Sequence, residues 1–171
     1  FIGSNASKVV ILDVTDKNNV QKIASINYGQ LGYTHQGWLD ESHSYFYMND
    51  ELDEMNGAVE RTRTLIWDVQ DLDDPQLVNQ FYLESSASDH NLYIRDKYMY
   101  QSNYQAGLRI LDITDPVNPV EVGNFDTAPY AEDAPGFGGS WSNYPYFKSG
   151  VIAVSSGAEG LFLVRFRKVD S

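Results

Sequence analysis

SDHNLYIRDKYMYQSNYQAGLRILDITDPVNPVEVGNFDT, residues Ser88–Thr127, decides the fold. Four short runs in it have strand character: His90–Ile94, Lys97–Gln101, Leu108–Ile113 and Val120–Phe125. Turn chemistry separates them, at Arg95-Asp96, at Gln105-Ala106-Gly107 and from Asp115 to Pro119. Four strands joined by tight turns make an up-and-down meander. A meander that recurs every roughly 40–50 residues is the pattern of a β-propeller blade.

The recurrence is visible on both sides of this stretch. GLRILDITD, Gly107–Asp115, matches KVVILDVTD at Lys8–Asp16 and RTLIWDVQD at Arg63–Asp71. A weaker match is GLFLVRFRK at Gly160–Lys168. An Asp-rich turn follows each of the first three, and then another apolar strand. An Asp side chain accepts bonds from amides just ahead of it, and Pro sets φ at a corner. Asp13, Asp16, Asp68, Asp71, Asp112 and Asp115 therefore read as turn residues rather than catalysts. Upstream, Thr34–Asn49 aligns with Asp89–Tyr104 and with Ser140–Ser156, which places His35, His90 and Trp141 at one position of the repeat.

The expected architecture is all-β: a β-propeller of four-stranded antiparallel blades, here incomplete, with two full and two partial blades. One domain spans 1–171. Its repeats run approximately 1–28 (third and fourth strands only), 34–83, 88–127 and 138–168 (first three strands), thirteen strands in all. Exposed strand edges predict association with further N-terminal blades or with a second copy.

Composition narrows the partners. The net charge is −12, from 24 acidic and 12 basic residues. That disfavours nucleic acid and anionic membranes. Aromatic residues make up 13% of the chain, which suits packing on pleated sheets. Cysteine is absent, so disulfides, thiolate catalysis and zinc–thiolate sites are excluded. No run approaches the roughly 18 apolar residues of a membrane span. The opening FIGSNASKVVILDV lacks the charged and apolar regions of a signal peptide and reads as the middle of a blade.

Strand order places the long loops 27–34, 50–61, 84–88 and 128–139 on one face, and the Asp-Pro turns on the other. His35, Asp89, His90 and Trp141 fall on the long-loop face, where the innermost strands line a channel. Rim loops of this kind carry binding sites. Two metal readings arise there. The crowded carboxylates Asp50, Glu51, Asp53 and Glu54 suit calcium, or else form a solvated acidic loop. His35 and His90, with Asp89 adjacent, suit a transition metal such as zinc, or else are channel-lining histidines bonded to carbonyls or water. His43 is expected in a turn on the opposite face. No nucleophile elbow, H-E-x-x-H, Walker loop or G-x-G-x-x-G is present.

ILDVTD and RILDITDPVNPVEVG look like LVIVD repeats. Together with YTHQGWLDESHSYFYMNDELDE, RTRTLIWDVQDLDDP and DHNLYIRDKYMYQSNYQAGLRILD, they make the chain resemble the choice-of-anchor B family across nearly its whole length. The resemblance implies a bacterial secreted or cell-surface propeller, and a chain similar to the C-terminal portion of longer members. It carries no biochemical activity over. The reading is of an extracellular binding or scaffold module for a protein or cell-surface component, with calcium as a structural ion. The alternative is a metal-dependent hydrolase or oxidoreductase with a His-lined site at the channel mouth.

Overall fold

The computed structural model describes residues 2–4 and 7–167. Among these are fourteen strands and no helix. They form four antiparallel sheets in chain order. The first holds β1 (Ile2–Ser4), β2 (Val9–Asp13) and β3 (Gln21–Ile26). The second holds β4 (Thr34–Leu39), β5 (Tyr45–Asp50), β6 (Arg63–Asp68) and β7 (Gln76–Tyr82). The third holds β8 (Asn91–Arg95), β9 (Tyr98–Ser102), β10 (Leu108–Asp112) and β11 (Val120–Phe125). The fourth holds β12 (Ser140–Tyr144), β13 (Ile152–Ser156) and β14 (Gly160–Val164).

Each sheet is a simple meander, so the chain is an arc of a β-propeller. Strand β8 touches both β4 and β12, and the three form the inner wall of the arc. The first sheet differs from expectation. Its two anticipated strands are joined by β1, whose Ile2 lies opposite Ile11. Three residues that include Gly and Ser carry no alternating pattern that would announce a strand.

Alternation along each strand gives every sheet two apolar faces, and three cores form between neighbouring sheets. Val9 from the first sheet packs with Phe46, Met48, Leu65 and Trp67 from the second. Tyr47 and Ile66 point the other way and meet Leu92, Ile94, Met99 and Leu111. Tyr100, Leu108 and Ile110 then meet Ile152 and Val154. Each fully buried Leu or Ile contributes about 1.5–3 kcal/mol relative to exposure. The outer strand β14 leaves Leu161 and Leu163 exposed.

The Asp turns form by one repeated bond. Asp13, Asp16, Asp68, Asp71, Asp112 and Asp115 each accept from the amide two residues on, at 2.9–3.2 Å. Such turns close the meander locally and leave these carboxylates at the rim. Between the sheets, Gln36 on β4 clasps the backbone of Leu92 on β8. Its amide donates to the Leu92 carbonyl at 2.8 Å, and its oxygen accepts from the Leu92 amide at 2.7 Å.

Candidate metal centre at the channel mouth

The strand ladders themselves push two residues into the channel mouth. Between β4 and β5 the register passes from Thr34–Asp50 to Gln36–Asn49, leaving His35 as an extra residue. Between β12 and β13 it passes from Ser140 to Ser142, leaving Trp141 extra. A bulge frees its additional residue from pairing and re-aims the side chain. His90 stands just before β8, with its amide held by the Ser102 carbonyl at 3.1 Å.

These residues converge. The rings of His35 and His90 lie nearly parallel, with 4.6 Å between centroids. Trp141 packs on His90 at 4.4 Å. Glu51, the residue after β5, reaches both imidazoles. Its Oε2 is 3.7 Å from His35 Nδ1, and its Oε1 is 3.6 Å from His90 Nε2. All three ligand atoms lie within 4.8 Å of one another. Those spans are too long for hydrogen bonds. They are close to the separation of about 3.4 Å between two ligands on one tetrahedral zinc.

The ring of His90 is held from behind. Its Nδ1 faces the carbonyl of Trp141, which can only accept, and also the Asn91 side-chain amide nitrogen at 2.7 Å, which can only donate. Asn91 donates its own amide hydrogen to the same carbonyl at 3.1 Å. In the tautomer that donates from Nδ1 to that carbonyl, the lone pair of Nε2 faces Glu51. Ligating histidines are oriented in this way, with the second nitrogen donating to a carbonyl. Burial, reinforced by neighbouring His35, holds His90 below the ordinary imidazole range despite the opposing pulls of the Trp141 carbonyl and Glu51. A neutral imidazole is the form that binds metal.

Tyr104 completes the support. Its hydroxyl donates to Glu51 Oε1 at 2.5 Å, and burial raises its pKa. Its backbone has φ of 39°, an unfavourable value for a tyrosine. Two bonds with Ser140 hold it there, at 2.8 and 3.0 Å. Strain of this kind persists only where the surroundings enforce it.

The other acidic residues go elsewhere. Asp50 turns inward and accepts from the Tyr28 hydroxyl at 2.8 Å, the Gly32 amide at 2.9 Å and the Tyr33 amide. Gly32 is required for this approach, because a Cβ there would stand 2.4 Å from the Asp53 nitrogen. Asp53 pairs with the buried guanidinium of Arg63 at 2.8 Å. Glu54 accepts from the Arg63 amide at 3.1 Å. Asp89 does not join the histidines either: it is fully buried and accepts from the Asn49 amide at 2.5 Å. Burial pushes Asp53 up to about 6, Glu54 up to about 11 with help from Asp89, and Asp89 well above the carboxylate range. The acidic run is thus divided, with Glu51 at the mouth and Asp50, Asp53 and Glu54 inside. His43 lies exposed in the β4–β5 turn, away from the cluster.

The comparisons agree with the architecture. Residues 88–127, from just before β8 to just after β11, match the LVIVD repeat. The chain is an all-β propeller arc that carries this repeat. The periplasmic gluconolactonase PpgL of Pseudomonas aeruginosa superposes with a TM-score of 0.69 at 10% identity, over 99% of this chain and 53% of that one. Apo AztD of Citrobacter koseri superposes with a TM-score of 0.56 at 15% identity, over 100% of this chain and 46% of that one. The chain therefore spans about half the length of each. At these identities the likeness is one of fold. No curated protein matches the chain in sequence.

Tyr104 and the separate role of Glu51 are what sequence reasoning misses. Glu51 reads as one of four similar acids. Only the end of the β4–β5 ladder at Asp50 sets the following side chain apart.

Proposed function

We propose that this chain is an exported β-propeller module that binds a divalent transition-metal ion of the zinc type through His35 Nδ1, His90 Nε2 and Glu51. The observation that carries the reading is the open triangle of two imidazole nitrogens and one carboxylate, with His90 already oriented by the Trp141 carbonyl. Two nitrogens and one oxygen suit zinc better than a hard ion. A cell-surface or periplasmic setting is supported by the acidic surface, by the choice-of-anchor B resemblance and by the periplasmic gluconolactonase that shares the fold. In the binding reading, the metal offers its remaining position to a ligand on a partner or cell-surface component.

One observation favours a second reading. Three protein ligands with a free fourth position are the arrangement of hydrolytic zinc, which activates a bound water. The chain is then a metal-dependent hydrolase, and lactones are the first substrates to try, given the gluconolactonase of similar fold.

Calorimetric titration of the chelated protein with zinc tests the binding site. The expected result is one zinc per chain, lost in His35→Ala and in His90→Ala. Absence of zinc binding by the folded wild-type chain overturns it. Lactone hydrolysis that needs zinc and disappears in both variants supports the enzyme; full zinc binding without turnover supports the binding module.

A further inference from the structure

Below the histidines, the seam between the second and third sheets is polar. Five buried oxygens there lack a hydrogen-bond partner among the described residues: Asn49 Oδ1, Glu54 Oε2, Ser88 Oγ, Asp89 Oδ1 and Asn103 Oδ1. Their residues are between 0% and 4% exposed. Buried polar groups are almost always paired, so five orphans on one seam need an explanation.

Their partners fix which way the amides face. Asn49 Nδ2 donates to Asp89 Oδ2, so Asn49 Oδ1 points elsewhere. Asn103 Nδ2 donates to Gln101 Oε1 at 3.3 Å, and Gln101 Nε2 donates to Thr64 Oγ1 at 2.6 Å. Thr64 stands opposite Asn49 in the β5–β6 ladder. This string of bonds crosses from one sheet to the other and keeps Asn49, Asp89 and Asn103 on one seam; Glu54 is near enough to feel the charge of Asp89, and Ser88 precedes Asp89 in the chain.

All five are oxygens: two of side-chain amides, two of carboxyl groups and one of a hydroxyl that donates as well as accepts. Three further buried atoms without a partner among the described residues lie elsewhere: Trp67 Nε1 in the core between the first and second sheets, and Ser140 Oγ and Asn143 Oδ1 on β12. Each of the five seam oxygens has a lone pair that can meet a cation, and an ion bound there displaces the protons that burial holds on Glu54 and Asp89. The seam is also rich in carboxyl groups. Asp50, Asp53, Glu54 and Asp89 share the seam with Arg63, whose side-chain hydrogens go to Asp53, Gln80 and the carbonyls of Gly29 and Gln30. None goes to Asp89.

We infer that this seam binds a second metal ion, a hard divalent cation of the calcium type, with Asp89 Oδ1, Glu54 Oε2 and Asn49 Oδ1 as its central ligands. Asn103 Oδ1 and Ser88 Oγ are the nearest further donors on the same seam. Calcium takes six to eight oxygens from carboxylates, amide carbonyls and water, whereas a nitrogen-free set of this kind is a poor zinc site. The ion joins the residue preceding His90 to the loop that carries Glu51. It therefore braces the two halves of the channel-mouth cluster without touching that cluster.

The test uses the full chain after chelation, in the wild type and in a His35→Ala, His90→Ala double variant that lacks the imidazoles. Equilibrium dialysis against calcium is expected to give one ion per chain in both. Calcium a hundredfold above its Kd raises Tm by roughly 5–10 °C. Asp89→Asn and Glu54→Gln, which keep shape, weaken calcium binding by at least about tenfold. Calcium uptake that vanishes with the histidines overturns the inference, because the ion then occupies the upper site. So does wild-type protein that takes up no calcium, or folded Asp89→Asn and Glu54→Gln chains that bind it as tightly as wild type. The wild-type dialysis remains decisive if the substituted chains do not fold.

Discussion

Tyr104 donates its hydroxyl to Glu51 across the seam between two sheets, although 53 residues separate them in the chain. This bond gives the carboxylate a fixed position facing both histidines. Tyr104→Phe keeps the ring and removes the bond. Zinc affinity is expected to fall by about tenfold, the usual effect of losing an outer partner of a metal ligand. Stability is expected to fall by about 1–3 kcal/mol, since the bond is to a charged group. Calorimetric titration and urea unfolding read the two effects separately.

Gln36 and Leu92 hold the first strands of the second and third sheets together by two hydrogen bonds. Gln36→Ala leaves the Leu92 amide and carbonyl without those partners. A cost of about 2 kcal/mol is expected. His35 is the next residue along the chain, so zinc affinity is expected to weaken in the same variant. Denaturant unfolding that shows no loss of stability contradicts the clasp.

Arg63 is fully buried, and its guanidinium is paired with Asp53. Arg63→Met removes the base and leaves the acids unbalanced. Breaking a buried pair from one side costs about 3–5 kcal/mol. A chain of this size then loses on the order of 10 °C in Tm. Replacing Arg63 and Asp53 together by Met and Leu is expected to restore much of that loss, and a scanning calorimeter compares the two.

The rim turns make the protein sensitive to acid. Asp112, bonded first by the Thr114 hydroxyl, has its pKa lowered, as do Asp13 beside Thr15 and Asp115 beside Asn118. A carboxylate whose folded pKa lies below its unfolded value stabilises the fold above the unfolded value, about 3.9. That contribution disappears as pH falls through the lower, folded value. Tm is expected to decline steadily below about pH 4. Asp112→Asn shows a shallower decline, measured as Tm against pH from 2 to 5.

The sequence revealed whatever depends on local order. The Asp turns are legible because each carboxylate bonds an amide two residues on, and composition marks the place. The meander of residues 88–127 is legible because its strands alternate and its turns carry Gly, Asp and Pro. The placing of His35, His90 and Trp141 on one face follows from strand direction alone. What stayed hidden depends on distant pairing. Nothing near Glu51 distinguishes it from Asp53 in the run DELDE. Arg63 looks like any base at a strand start until the fold surrounds it with carboxylates. Asp89 adjoins His90 in the chain yet points to Asn49, because consecutive residues of an extended chain face opposite ways.

His35 enters the channel mouth because β4 carries one residue more there than its partner strand can match. Removing that single codon restores an unbroken ladder and takes the imidazole with it. The apolar cores between the sheets do not involve His35. A lineage of such repeats can therefore gain or lose a side chain at the channel mouth by small insertions and deletions while its architecture is inherited intact.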